Sequence, residues 1–158
     1  MCGPCVSADL QGPVGFDSHS YAFCSRSGDV ASNSRPRPMG TPFGEGDVVG
    51  IHLFLPPGGQ PRLRQREAVF WGKKVFWMEE PLAEEPRQLD GSFIAFYVNG
   101  AKQGEVHDIL EGTYHPCLSP FTLPGQREPV VVRCNFSSEL HFQPQGATVC
   151  QPWTDVAV

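Results

Sequence analysis

The amino-acid sequence predicts an all-β fold, an antiparallel sandwich of short strands, on three observations. The 158 residues include 17 Gly and 16 Pro, which interrupt the chain too often for long helices. Hydrophobic residues make up 40% and aromatics 11%, gathered in short runs rich in β-branched and aromatic side chains. Turn formers separate these runs at intervals of roughly ten to twenty residues, the rhythm of a sandwich. The length suits one domain with one core, and no internal repeat divides it.

Taken in order, residues 1–10 read as an irregular opening, 11–142 as the sandwich core and 143–158 as an irregular tail. Ser20-Tyr-Ala-Phe-Cys24 alternates as a short strand does, and 29–46 reads as loop. Gly46-Asp-Val-Val-Gly-Ile-His-Leu-Phe-Leu55 is apolar on both faces and stopped by Pro56-Pro57-Gly58-Gly59, as expected of a strand inside a sandwich. Residues 68–71 and 74–78 make a hairpin around Gly72-Lys73, and the acidic, Pro-bearing stretch 79–91 follows. Ser92-Phe-Ile-Ala-Phe-Tyr-Val98 is a strand, Asn99-Gly100 the sharpest turn signal in the chain, and 101–106 the returning strand. Residues 114–119 form a strand whose Pro116 belongs at an edge or start, and Val130-Val-Val-Arg-Cys-Asn-Phe136 is the last strand expected.

A net charge of −5 gives no general attraction to phosphate backbones, so direct nucleic-acid binding is not expected. Arg35, Arg37, Arg62, Arg64 and Arg66 gather in two segments and read as solvated loop charge. No apolar run approaches the roughly 20 residues that span a bilayer, and Met-Cys-Gly-Pro-Cys-Val lacks the basic start of a secretory signal. An intracellular protein with reduced cysteines is the expectation, with Cys117 and Cys134 as small buried hydrophobes.

No motif carries catalysis. Cys2-Gly3-Pro4-Cys5 has the spacing of a thioredoxin redox pair, but no strand and helix frame it, and such a thiol is acidified by a helix N-terminus. Cys2 and Cys5 could form half of a zinc site with Cys24, His19, Cys150 or His141, yet the second close pair is missing. The glycines of 40–46 precede no helix start and read as turn formers rather than a phosphate cradle. Glu79, Glu80, Glu84 and Glu85 have no spacing that separates an acid from a base. Neither an enzyme, a cofactor nor a metal is expected.

Read together, 46–55, Ile94-Ala-Phe-Tyr-Val-Asn-Gly-Ala-Lys-Gln-Gly104, Tyr114-His-Pro-Cys-Leu-Ser119 and Val132-Arg-Cys-Asn-Phe136 resemble the successive signatures of SPRY domains, which have a concanavalin-like antiparallel β-sandwich. Within that superfamily the chain resembles the SPRY domain of the Ash-two subunit, in its plant Trauco-like form, of COMPASS/MLL-type histone H3 lysine-four methyltransferase complexes. Gly12-Pro-Val-Gly-Phe-Asp-Ser-His-Ser-Tyr21, Asp108-Ile-Leu-Glu-Gly-Thr-Tyr114 and Phe121-Thr-Leu-Pro-Gly-Gln126 carry that likeness.

The resemblance implies a non-catalytic scaffold that grips an acidic and aromatic segment of a WD-repeat subunit, supports the SET-domain subunit indirectly, and works in the nucleus. By resemblance Pro13 falls on a partner-contacting position, with Phe16 and Tyr21 as aromatic support. Cys24 stands where the subfamily has an arginine that pairs with the partner's acidic residues, and Arg26, on the same face of a continued strand, is the candidate for a partial substitute. The family's domain begins with further strands upstream, so a sandwich lacking its N-terminal strands, with exposed edges and core, is expected. The chain also stops before the amphipathic helix with which family members bind a DPY-type subunit, so that contact is not expected. The Cys24 departure leaves one alternative: a SPRY or lectin-like module recognising another peptide or a glycan.

Overall fold

The computed structural model describes residues 1–5, 12–58, 66–79, 87–121, 124–125 and 128–146. Among them are ten strands and no helix: β1 (Cys2–Cys5), β2 (Ala22–Phe23), β3 (Asp29–Ser32), β4 (Arg35–Pro38), β5 (Val49–Phe54), β6 (Arg66–Trp71), β7 (Lys74–Glu79), β8 (Phe93–Val98), β9 (Ala101–His107) and β10 (His115–Leu118). They form a five-stranded sheet in the order β10-β1-β2-β3-β4, a three-stranded sheet β5-β8-β9 and a two-stranded sheet β6-β7. Every pairing is antiparallel, so the predicted all-β class holds.

The core lies between the five-stranded and three-stranded sheets. Alternation along β8 sends Ile94, Phe96 and Val98 to one face, and the register pairs them with Leu53, Ile51 and Val49 of β5. The facing sheet contributes Tyr21, Phe23 and Val30. The Phe23 ring stacks on Phe96 at 5.2 Å and on Phe43 at 5.0 Å, joining the sheets through one aromatic column. Burying side chains of this size contributes about 1.5–3 kcal/mol each, before the entropy cost of ordering them.

The strongest turn signal of the sequence closes the β8–β9 hairpin. Asn99 and Gly100 both take positive φ, 51° and 82°, the type I′ geometry whose twist matches the strands. Asn99 also binds outward: its side-chain oxygen accepts the Val48 N–H at 2.9 Å, and its amide donates to Asp47 at 2.8 Å. That tie holds the start of β5 against the hairpin.

Four expectations are corrected. The opening is not irregular throughout 1–10, because Cys2–Cys5 pair as β1 between β10 and β2, while 6–10 lie outside the described residues. The loop expected over 29–46 contains the β3–β4 hairpin, turned by Asn33 and Ser34. Val130–Phe136, expected as a strand, runs without ladder pairing, and Val131 is 86% exposed; strand propensity without a neighbouring strand is not enough. Lastly, Cys117 is half-buried and disulfide-bonded, and Cys134 is exposed, so neither is a buried thiol. Among the described residues no group of three or more His, Cys, Asp or Glu is placed to hold a metal ion, and no helix is long and apolar enough to cross a membrane.

Candidate functional site

The segment that carries Pro13 and Phe16 crosses the five-stranded sheet on the side away from the core. Phe23 and Val30 face the core, so Ala22 and Ala31, one residue removed and paired with each other, face the opposite side. Gly15 lies directly over them at φ 89°; a Cβ there would stand 2.8 Å from both the Ala22 Cβ and the Ala31 carbonyl oxygen. Only glycine permits this approach, and the approach buries Ala22 completely.

Side-chain hydrogen bonds fix the segment in place. The Ser20 hydroxyl accepts the Gly15 N–H at 2.8 Å and donates to Asp17 at 2.9 Å. Asp17 also accepts the His19 N–H at 3.0 Å, and the Phe16 N–H closes a turn onto the Pro13 carbonyl at 3.1 Å. From one side the β3–β4 turn grips the loop: Ser34 donates its hydroxyl to the Phe16 carbonyl at 2.8 Å and its N–H to Gly15, and Asn33 donates to Asp17. From the other, the Val14 N–H reaches the Ser119 hydroxyl beyond β10 at 3.0 Å.

The result is a braced loop that displays an aromatic ring. Pro13 is exposed and Phe16 is 58% exposed, although hydrogen bonds hold the loop's backbone at Val14, Gly15, Phe16, Asp17 and His19. Ordering entropy is therefore spent on folding rather than on binding, which favours affinity for whatever lies on Phe16.

The remaining expected site residues separate. Tyr21 is 7% exposed and belongs to the core cluster, so it supports the loop from beneath instead of offering a contact. Burial raises its phenol, which accepts the Leu110 N–H at 3.3 Å. Cys24 is half-buried just beyond β2, and burial, with Asp29 acting in the same direction against the N-terminal charge, pushes its thiol up. At neutral pH it carries no charge and cannot replace a cation. Arg26 does not continue the strand: β2 ends at Phe23, the Gly28 N–H bonds the Cys24 carbonyl at 2.8 Å, and Arg26 is exposed on the turn between. The same-face argument for Arg26 therefore does not hold, though its turn joins β2 to β3.

Sequence reasoning missed Asn33 and Ser34, which anchor the displayed loop. The available signal was Asn-Ser in a polar stretch, where an Asn tolerates the left-handed region; two consecutive positive-φ residues without glycine are hard to foresee.

The chain matches no protein-family model. It is 28% identical over 127 residues to the Set1 complex component ash2 of Schizosaccharomyces pombe, covering 65% of this chain and 19% of that protein. It is 28% identical over 121 residues to the Set1/Ash2 histone methyltransferase complex subunit ASH2 of Drosophila melanogaster, covering 70% of this chain and 22% of that one. The COMPASS component cclA of Colletotrichum higginsianum is 40% identical over 52 residues. The chain is Ash2-like over most of its length. It spans about a fifth of the length of the two longer-matching relatives, and those relatives are subunits of chromatin-modifying complexes.

Proposed function

We propose that this Ash2-like chain is a non-catalytic interaction domain of a Set1/COMPASS-type histone H3 lysine-four methyltransferase complex, acting in the nucleus. Its partner is a WD-repeat subunit, and through that subunit it supports the SET-domain subunit. The observation that carries the reading is the displayed Phe16 beside Pro13, on a loop held rigid by Ser20, Asp17 and Ser34, within the chain's similarity to Ash2 subunits. An exposed aromatic in a braced setting is the kind of anchor that carries binding energy at protein interfaces. Arg26 offers charge at the neighbouring turn, where it steers an acidic segment without the bidentate pairing that an arginine at position 24 would give.

The test is calorimetric titration of a WD-repeat subunit into the folded chain, followed by a histone H3 methylation assay with the SET-domain subunit present. Binding with increased methylation supports the reading. A folded chain that neither binds nor raises methylation overturns it. The neutral, half-buried Cys24 favours a second reading, recognition of a different peptide or a glycan by the same face; peptide and glycan arrays separate the two.

A further inference from the structure

The β6–β7 hairpin stands outside the core described above and exposes apolar side chains on both faces. Register places Phe70 opposite Val75 on one face, and Val69 opposite Phe76 with Trp71 opposite Lys74 on the other. Trp71 is 80% and Phe70 72% exposed, and Val75 and Phe76 are about half exposed. A two-stranded sheet with such faces is marginal in water unless a further element covers it. Gly72, at φ 63°, opens a two-residue turn, so Trp71 and Lys74 exchange the first pair of ladder hydrogen bonds. Alternation then turns the backbone groups of Val75 and Trp77 away from β6, toward the outer edge of β7.

The edges of the five-stranded sheet are built differently. On β4 the same alternation from the Ser32–Arg35 pair turns positions 36 and 38 outward, and both are proline. On β10, Ser119 donates to Met1, so Pro116 also falls at an outward position. These edges offer no N–H at those positions to an added strand. β7 contains no proline, no strand among the described residues pairs with its outer edge, and exposed Lys73 and Lys74 flank that edge at the turn.

We propose that the outer edge of β7 takes an extended acidic and apolar peptide segment of a protein partner as a third strand. Backbone groups of Val75 and Trp77 supply main-chain pairing, the exposed Phe70, Trp71, Val75 and Phe76 receive alternate apolar side chains, and Lys73 and Lys74 select acidic ones. A second copy of the chain would pair β7 with β7 antiparallel, with the two turns at opposite ends, and sedimentation distinguishes that arrangement from peptide binding. An anionic bilayer fits poorly, since the net charge is −5 and Lys73 would lead any insertion.

The experiment uses the whole chain and a Glu–Val repeat peptide of about eight residues, the length of an ordinary strand. Calorimetry gives the affinity and amide hydrogen exchange the location. Binding is expected with new protection at Val75 and Trp77. Lys73→Glu with Lys74→Glu is expected to weaken it about tenfold or more, as is Val75→Pro, which removes an outward donor while leaving the β6 ladder intact. Circular dichroism checks both variants, and the lysine pair decides alone if the proline unfolds the hairpin. The proposal is overturned if a Lys–Val repeat binds equally well, or if the folded variants bind as the parent does. It is equally overturned if phosphatidylserine vesicles bind and the peptide does not, or if sedimentation shows that the hairpin joins two copies of the chain.

Discussion

The hydroxyls of Tyr21 and Tyr114 take the two backbone groups of one residue between them: Leu110 donates its N–H to Tyr21 at 3.3 Å, and Tyr114 donates to the Leu110 carbonyl at 2.6 Å. The rings stand 6.2 Å apart and both phenols are raised by burial. This clamp fastens the 108–114 segment, one of the stretches that resemble Ash-two, to the strand beneath the displayed loop. Ser92 closes the same segment from the other side, donating to the Leu89 carbonyl at 2.6 Å and accepting the Ile109 N–H at 2.9 Å.

Tyr114→Phe removes the donor and leaves the Leu110 carbonyl without it. The expected loss is about 1–3 kcal/mol of unfolding free energy. A urea titration should show a lower midpoint at unchanged slope. An unchanged midpoint would mean that the clamp adds nothing to stability.

His52 makes stability depend on pH. It is half-buried and packs edge-on against Phe93 at 5.1 Å; burial holds its imidazole below the ordinary histidine value, more than Glu105 raises it. The folded value therefore lies below the unfolded one, near 6.5. The contribution is whole above about pH 6.5 and is lost as pH falls through the folded value, because the unfolded state then binds more protons. Thermal midpoints should fall on acidification through this window, and His52→Gln should flatten that part of the curve. Glu105 acts lower: its hydrogen bond to Lys102 holds its carboxyl below the usual range, so its part is whole above the unfolded carboxylate value of about 4.3 and fades as the pH falls from there through the lower folded value.

Much of the fold was legible in the sequence because most of its strands carry their own punctuation. β5 lies within 46–55, stopped by Pro56-Pro57-Gly58, and β8 and β9 flank Asn99-Gly100 as expected. The failures share a cause. Arg35–Pro38 has no apolar pattern, since an exposed edge strand needs none, and its prolines, which argue against a strand interior, serve at an edge. Val130–Phe136 has the pattern and lacks the neighbour. Pairing is a tertiary property, and local composition reports it only indirectly. The candidate site divided likewise: the exposure of Pro13 and Phe16 suits the contact that the resemblance implies, whereas the burial of Tyr21 and the turn beneath Arg26 depend on where β2 ends.

Phe16 is exposed, so Phe16→Ser should leave the thermal midpoint nearly unchanged. If the ring anchors the WD-repeat subunit, the same substitution weakens calorimetric binding by about 1–2 kcal/mol, roughly fivefold to thirtyfold. Loss of binding without loss of stability supports the displayed-loop reading. Unaltered binding moves the contact elsewhere on the face.

Cys24→Arg tests the departure that most separates this chain from the Ash-two subunits it resembles. Position 24 is half-buried, and its backbone is held by the Asp29 carbonyl at 2.8 Å and by the Gly28 N–H, so the substitution leaves the turn's main chain in place. A long side chain there can keep its stem along the sheet and carry the guanidinium into solvent. Asp29, whose charge opposes ionisation of the thiol, would favour the cation. The variant should bind the WD-repeat subunit more tightly, with the gain concentrated in the association rate and shrinking as salt is raised. If Arg26 already supplies the charge, the gain will be small, and Arg26→Ala in the parent will slow association. If neither substitution changes the salt dependence, the acidic segment does not meet this end of the sheet, and the contact made by Pro13 and Phe16 is apolar.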